Sequence, residues 1–315
     1  MALPTIRNFT PDDIPQVMTL QRAYQKAYPH ASVISGEVYL SPGFDSGANI
    51  FCAFDDDEDL MGYAPLLPVL AQQSQAAHTA WAEVKTDPAL GPWPLAKNFL
   101  FERLRRRAGE ILRSAPGHAM RLTFQYHPSE TASIEYALSR GCLYSVTLYR
   151  MMRDLTCEVP DVPQPGGVDI RHWRMESEAG QQAYVRARNE SFPENPVALG
   201  DWQSFLRSPA WDNGRAITAF DGDEIVGSVA AYPSEEISKQ TGKKAAETEF
   251  IFVRPKWRKR GIAAYLTARA LQYLKEQGRE AAYLEVSAAN ENALELYRRL
   301  GYQVVDQTGL YVLEM

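Results

Sequence analysis

Phe252-Val-Arg-Pro-Lys-Trp-Arg-Lys-Arg-Gly-Ile-Ala-Ala-Tyr-Leu266 gathers groups suited to holding a phosphate. The run up to Val253 is apolar and β-prone, Pro255 ends it, and a helical apolar period begins at Ile262. Between them Arg254, Lys256, Arg258, Lys259 and Arg260 place five cations in seven residues of a chain with net charge −6. A helix N-terminus carries unpaired N–H groups at the positive end of its dipole. Strand, loop and helix with a glycine at the junction therefore form an anion cradle. Gly261 is the place where backbone can approach a diphosphate with no Cβ in the way. Charge alone leaves a second reading open, a solvated basic turn before an ordinary amphipathic helix.

The elements that must carry this loop alternate in type. Asp169–Trp173 reads as a strand and Glu176–Ser191 as a helix stopped by Pro193. Ala216–Phe220 and Glu224–Tyr232 pair as a hairpin across Asp221-Gly222-Asp223. Glu247–Val253 is a strand, and Ile262–Gln277 a helix with Ile262, Leu266, Ala270 and Leu274 on one face, closed by Gly278. Ala282–Val286 follows as a strand, then a helix capped by Asn290 whose inner face is Ala293, Leu296, Tyr297 and Leu300. Gln303–Asp306 and Leu310–Glu314 read as two short final strands. Such alternation predicts an α/β fold, a mixed sheet of the α+β kind.

The chain of 315 residues reads as this unit written twice. Ala53-Phe54-Asp55 reappears at Ala219-Phe220-Asp221, an offset of 166, and Thr5-Ile6-Arg7 at Asp169-Ile170-Arg171, an offset of 164. Between the copies, Glu158–Gly167 holds three prolines and two glycines, the composition of a linker. The expected division is residues 1–157, a linker at 158–168, and residues 169–315. The composition, 45% hydrophobic and 23% charged, is that of globular domains, and the acidic balance argues against general nucleic-acid binding. No apolar run approaches a membrane span, and no basic-then-apolar leader opens the chain, so a cytoplasmic protein without membrane contact is expected. Cys52, Cys142 and Cys157 are odd in number and far apart, and no histidine pair has ligand spacing, so neither disulfides nor a metal is expected.

Val253-x-Pro255-x-x-Arg258-x-x-Gly261-Ile262-Ala263 resembles the acyl-CoA signature of the GNAT N-acyltransferase superfamily, Arg/Gln-x-x-Gly-x-Gly/Ala. Leu284-Glu-Val286, Asn290, Ala293, Leu296-Tyr297 and Gly301-Tyr302 resemble that family's second signature at the family's spacing. The resemblance covers the second copy. It implies acetyl-CoA as co-substrate, with the backbone amides of Lys259, Arg260, Gly261, Ile262, Ala263 and Ala264, after Arg258, holding the pyrophosphate. It further implies that the backbone of Phe252 and Val253 pairs with the pantetheine arm. Asn290 resembles a residue that binds the pantetheine side or orients the helix after it. Tyr297 matches the tyrosine that protonates the departing thiolate, as an alternative to a core tyrosine.

An alkylamine of pKa about 10.4 is neutral only to about one part in 2,500 at pH 7, a deficit of about 4.6 kcal/mol that a base must help to offset. Relatives place a carboxylate on the strand before the loop, where this chain has Glu247 and Glu249. Distance from Pro255 favours Glu247. A bulge in that strand would change the face each presents, and both could equally be solvated. No cysteine lies in either signature, so direct attack without an acyl-enzyme is expected.

In the first copy Asp87-Pro88 aligns with Arg254-Pro255, but no Arg-x-x-Gly-x-Ala follows, and Pro92 and Pro94 remove donors that a cradle needs. That half reads as a degenerate GNAT-like domain, so the chain is similar to tandem-domain members of the superfamily such as the mycothiol synthase group. The implied function is N-acetylation of a small-molecule amine by a monomer with pseudo-dimeric halves. A protein acetyltransferase and a non-catalytic acyl-CoA sensor are the alternatives.

Overall fold

The structure, a computed structural model, describes residues 3–31, 33–71, 77–193 and 195–315. Two compact units emerge, Met1–Val146 with Thr308–Met315, and Thr147–Gln307.

The first unit contains β1 (Thr5–Asn8), α1 (Ile14–Ala27), β2 (Ile50–Phe54), β3 (Leu60–Val69), β4 (His78–Ala82), β5 (Lys85–Thr86), α2 (Leu95–Ser114), β6 (Met120–Tyr126), α3 (Thr131–Ser139) and the start of β7 (Leu143–Asp154). Its sheet runs β1-β2-β3-β4-β6, with β4 and β6 parallel and the other neighbours antiparallel. Leu100, Phe101 and Leu104 of α2 bury one face against Phe51, Leu122 and Phe124.

The second unit repeats the plan. It holds β8 (Asp169–Trp173), α4 (Glu178–Ser191), α5 (Leu199–Leu206), α6 (Pro209–Asp212), β9 (Arg215–Asp221), β10 (Glu224–Pro233), α7 (Glu235–Thr241), β11 (Ala245–Val253), α8 (Ile262–Glu276), β12 (Ala281–Ser287), α9 (Glu291–Arg299) and the start of β13 (Gln303–Glu314). The order is β8-β9-β10-β11-β12, closed by Leu148–Asp154 of β7 antiparallel to β12. In the first unit Gly309–Glu314 of β13 takes the matching place beside β6. The two copies correspond element by element: α1 and α4 each have 14 residues, α3 and α9 each have 9, and β7 and β13 each have 12.

One face of the second unit's sheet packs Ile217, Val226 and Val229 against Leu266, Leu271 and Leu274 of α8 and Leu294 and Tyr297 of α9. The other face is aromatic: Tyr184, Trp202, Trp211, Phe220, Tyr232 and Phe252 cluster under α4, α5 and α6. Those last two helices and α7 are absent from the sequence reading, because segments of 8, 4 and 7 residues are too short for a clear helical period. The two final strands merge into β13, because Gly309 stays out of the left-handed region and continues the strand instead of turning it. The units also part from the division expected at the linker, since each sheet is completed by a strand segment from beyond it. Residues 158–165 form neither helix nor strand, and Val159 and Val162 pack on the second unit's core. No helix among the described residues is long and apolar enough to cross a membrane.

Candidate active site

β11 carries the candidate site because it follows two neighbours that part company. It pairs with β12 only from Ala245–Ala281 to Glu247–Tyr283. Beyond that point β12 stays with β7 as far as Ser287, while β11 stays with β10 as far as Val253. A bulge on β11 accompanies the parting: the four residues from Glu249 to Phe252 face the three from Ala230 to Ser228, and Phe250 takes φ +48°. Among the described residues, no strand pairs with the edge of β11 facing β12 from Thr248 onward. Phe252 turns its ring into the aromatic core against Tyr184, at 5.4 Å between centroids. Val253 ends the strand opposite Gly227.

The loop after β11 is built to leave donors free. A short turn at Pro255–Trp257 leads through Lys259 at φ +63° and Gly261 at φ +77° into α8. Tyr265 N donates to Gly261 O at 3.0 Å, the first bond of the helix. Among the described residues, the six amides from Lys259 to Ala264, including those of Arg260, Ile262 and Ala263, find no protein acceptor. Alternation of left-handed with ordinary residues turns successive N–H groups toward one concavity, and α8, 15 residues long, adds its dipole. A Cβ built on Gly261 would meet nothing within 4 Å, so the space there is open.

The loop's cations divide their work. Arg258 braces the loop, donating from Nε to Val253 O at 3.0 Å and from Nη2 to Ser191 O at 3.2 Å. Two of its three guanidinium nitrogens thus face protein carbonyls. Arg254 pairs with Glu190 at 2.8 Å and with Glu224, and Lys256 reaches Glu224 at 2.9 Å. Arg260 lies over the Trp257 ring, 4.7 Å from its centroid.

Glu247 and Glu249 share a face, ahead of the bulge, but not an environment. The Glu249 side chain is exposed to solvent although protein atoms surround it, whereas Glu247 is half-buried. Crowding pushes its pKa up to about 7; the hydrogen bond from Tyr232 works against this, and the Glu247 and Glu285 charges add to it. Tyr232 Oη donates to Glu249 Oε2 at 2.5 Å. That partner escaped the sequence reading, although Tyr232 stands directly opposite Glu247 once the hairpin register is known.

Tyr297 belongs to the core on the α8–α9 face, 7% exposed, its ring 5.8 Å from that of Tyr302. Its hydroxyl has no protein partner among the described residues, and burial holds its pKa far above the ordinary value, so it remains a proton donor at neutral pH. Glu249 meets Tyr232 on the opposite, aromatic face. Asn290 caps α9, its Oδ1 accepting from Ala293 N at 3.2 Å, which is the helix-orienting role of the two expected.

The first unit fills the matching positions with its own charges. Lys85, which aligns with Phe252, is 1% exposed and pairs with Glu83 at 2.7 Å. Lys97 near the start of α2 is buried beside Ser133 Oγ at 3.4 Å, and desolvation lowers its pKa to about 8. Glu130, the counterpart of Asn290, is buried and accepts from Tyr24 Oη at 2.9 Å.

Comparison with known proteins bears on this geometry. Residues 177–302 match the acetyltransferase (GNAT) family. The second unit is an acetyltransferase domain of the GNAT family. Mycothiol acetyltransferase of Thermobispora bispora is 26% identical over 84% of this chain and 83% of its own length. Mycothiol acetyltransferase of Salinispora tropica is 28% identical over 56% of this chain, and the match spans 57% of that relative. Among solved structures, a GCN5-related N-acetyltransferase from Sphaerobacter thermophilus superposes with TM-score 0.71 at 22% identity, covering 99% of this chain and 97% of that one. A tandem GNAT protein from the clavulanic acid biosynthesis pathway gives 0.68 at 15% identity, covering 99% and 98%. At such identities the superpositions establish the fold, and the second shows a GNAT unit in tandem. The GNAT domain here holds every site residue named from the sequence, Tyr297, Glu247, Glu249, Asn290 and the loop from Phe252 to Ala264.

Proposed function

We propose that the protein transfers an acetyl group from acetyl-CoA to the primary amine of a small molecule, by direct attack, with the chemistry in the GNAT domain. The observation that carries this reading is the set of six unpartnered amides beside the opening between β11 and β12. Those amides would hold the pyrophosphate, and the free edge of β11 at Phe252 and Val253 would pair with the pantetheine amides as an added strand. Arg258 contributes by bracing the loop.

Glu249 is the base in this reading, in preference to Glu247. A group titrating near 7 is well matched to taking a proton at neutral pH. The acceptor's ammonium gives one proton to solvent or to Glu249, and the amine nitrogen then attacks the thioester carbonyl. As the tetrahedral intermediate collapses the C–S bond breaks, the nitrogen's second proton passes to Glu249 or to solvent, and the sulfur takes a proton from Tyr297, whose phenolate is reprotonated from solvent. A thiolate whose conjugate acid has pKa about 8.5 leaves with modest help, so that proton assists more than it permits.

The small acceptor follows from the relatives' names, mycothiol acetyltransferase, and a mycothiol-type amine belongs first on any substrate panel. A cytoplasmic location and a monomer complete the proposal. Release of free thiol from acetyl-CoA, followed across a panel of small amines and lysine peptides, is the test. Turnover with a small amine supports the reading; turnover with peptides alone, or tight acetyl-CoA binding with no turnover, replaces it.

A further inference from the structure

We propose that Tyr232 is a positioning residue of this site, its phenol O–H holding one carboxylate oxygen of Glu249 so that the other faces the acceptor amine. The inference rests on the reading of Glu249 as the base. Its grounds are geometric. Tyr232 is 7% exposed, and its Oη donates to Glu249 Oε2 at 2.5 Å and to nothing else among the described residues. Glu249 Oε1 has no protein partner among them. The Tyr232 ring is itself fixed edge-on against Phe205, 5.1 Å between centroids. A short bond from a packed ring sets the carboxylate's rotamer and leaves one oxygen free, which is what a base must offer.

The other groups facing Glu249 cannot substitute. Glu247 on its own strand and Glu285 on β12 both oppose a further negative charge there. Arg188 on α4 favours the charge, but its guanidinium donates to Asn195 O and to Asn189 Oδ1 at 3.3 Å. Tyr184 on α4 is buried nearby, but its hydroxyl makes no hydrogen bond with Glu249. Tyr232 thus supplies the neutral donor that keeps a crowded carboxylate ionisable near neutral pH.

Tyr232→Phe keeps the ring and removes only the donor. The Glu249 pKa can be followed without an acceptor by infrared titration of the full chain, its carboxyl band identified by its loss in Glu249→Gln. Tyr232→Phe should move that midpoint upward by about one pH unit, the scale of one hydrogen bond to a charged group. The acid limb of acetyl-CoA turnover with the fastest panel amine should move by the same amount, with acetyl-CoA affinity unchanged. Incorporating 3-fluorotyrosine, a stronger donor, at position 232 should move both midpoints downward, and it serves if the Phe variant folds poorly. A midpoint that stays put in both variants, while Glu249→Gln abolishes the limb, overturns the role of Tyr232 and leaves Glu249 the base. A limb that survives in Glu249→Gln overturns the base reading, and this inference with it.

Discussion

Glu247 and Glu249 are neighbours on one strand face, and a pair of isosteric changes separates their roles. Glu249→Gln should lower kcat by about 10²–10³ at pH 8, the range of general acid–base catalysis, and flatten the rise in rate between pH 6 and 8. The sign follows from the carboxylate being the working form: with a pKa near 7, rate is gained as pH rises through that value. Glu247→Gln should keep the rise, with its midpoint slightly lower because a like charge has gone. PH profiles of both variants decide the matter. Tyr297→Phe retains the packing against Tyr302 and removes the donor. It should lower kcat by about 10²–10³ with little change in acetyl-CoA affinity; an unchanged kcat returns that tyrosine to the core.

A strand edge and a helix start make the cradle together, and neither suffices alone. Gly261→Glu tests their junction. The added side chain meets open space, so its cost to folding is the left-handed backbone, about 1–2 kcal/mol. In the proposed reading, however, its carboxylate enters the space that would hold a diphosphate. Losing two charge-assisted bonds at about 1.5–3 kcal/mol each weakens acetyl-CoA binding more than about a hundredfold. Calorimetric titration alongside thermal melting should show binding lost while the fold remains. Melting that falls with binding would instead make Gly261 a folding residue.

At the scale of the molecule, the division of the chain into units sets where it can be cut. A fragment of residues 165–315 lacks Leu148–Asp154, which pair with the whole of β12, and with them Met151 and Leu155, both 1% exposed or less. Each such side chain is worth about 1.5–3 kcal/mol of burial, and the open edge invites aggregation. That fragment should be insoluble or inactive, whereas residues 147–307 should give more soluble protein; equal yields would remove the role of β7. In the full chain, titration should find one acetyl-CoA site. Lys85, Glu83 and Lys97 fill the first unit's counterpart of the cradle, and Pro92 and Pro94 remove its donors. A stoichiometry near two would overturn that degeneracy.

Local rules made much of this protein legible from sequence. Proline, glycine and a helical apolar period are short-range signals, so the turn at Gly222, the stop at Gly278 and the strand–loop–helix at Val253–Ile262 could be placed from residue types alone. The offsets near 160–167 likewise carried the two-copy plan, because repeated elements repeat their punctuation. Other features depend on residues far apart in the chain. The bulge at Phe250 and the partner of Glu249 follow from strand register, and register is a property of pairs. The bond from Arg258 to Ser191 O also joins residues far apart in the chain. The crowding that separates Glu249 from Glu247 likewise exists only once α4, β10 and β12 surround β11, since desolvation is set by neighbours in space and not in sequence.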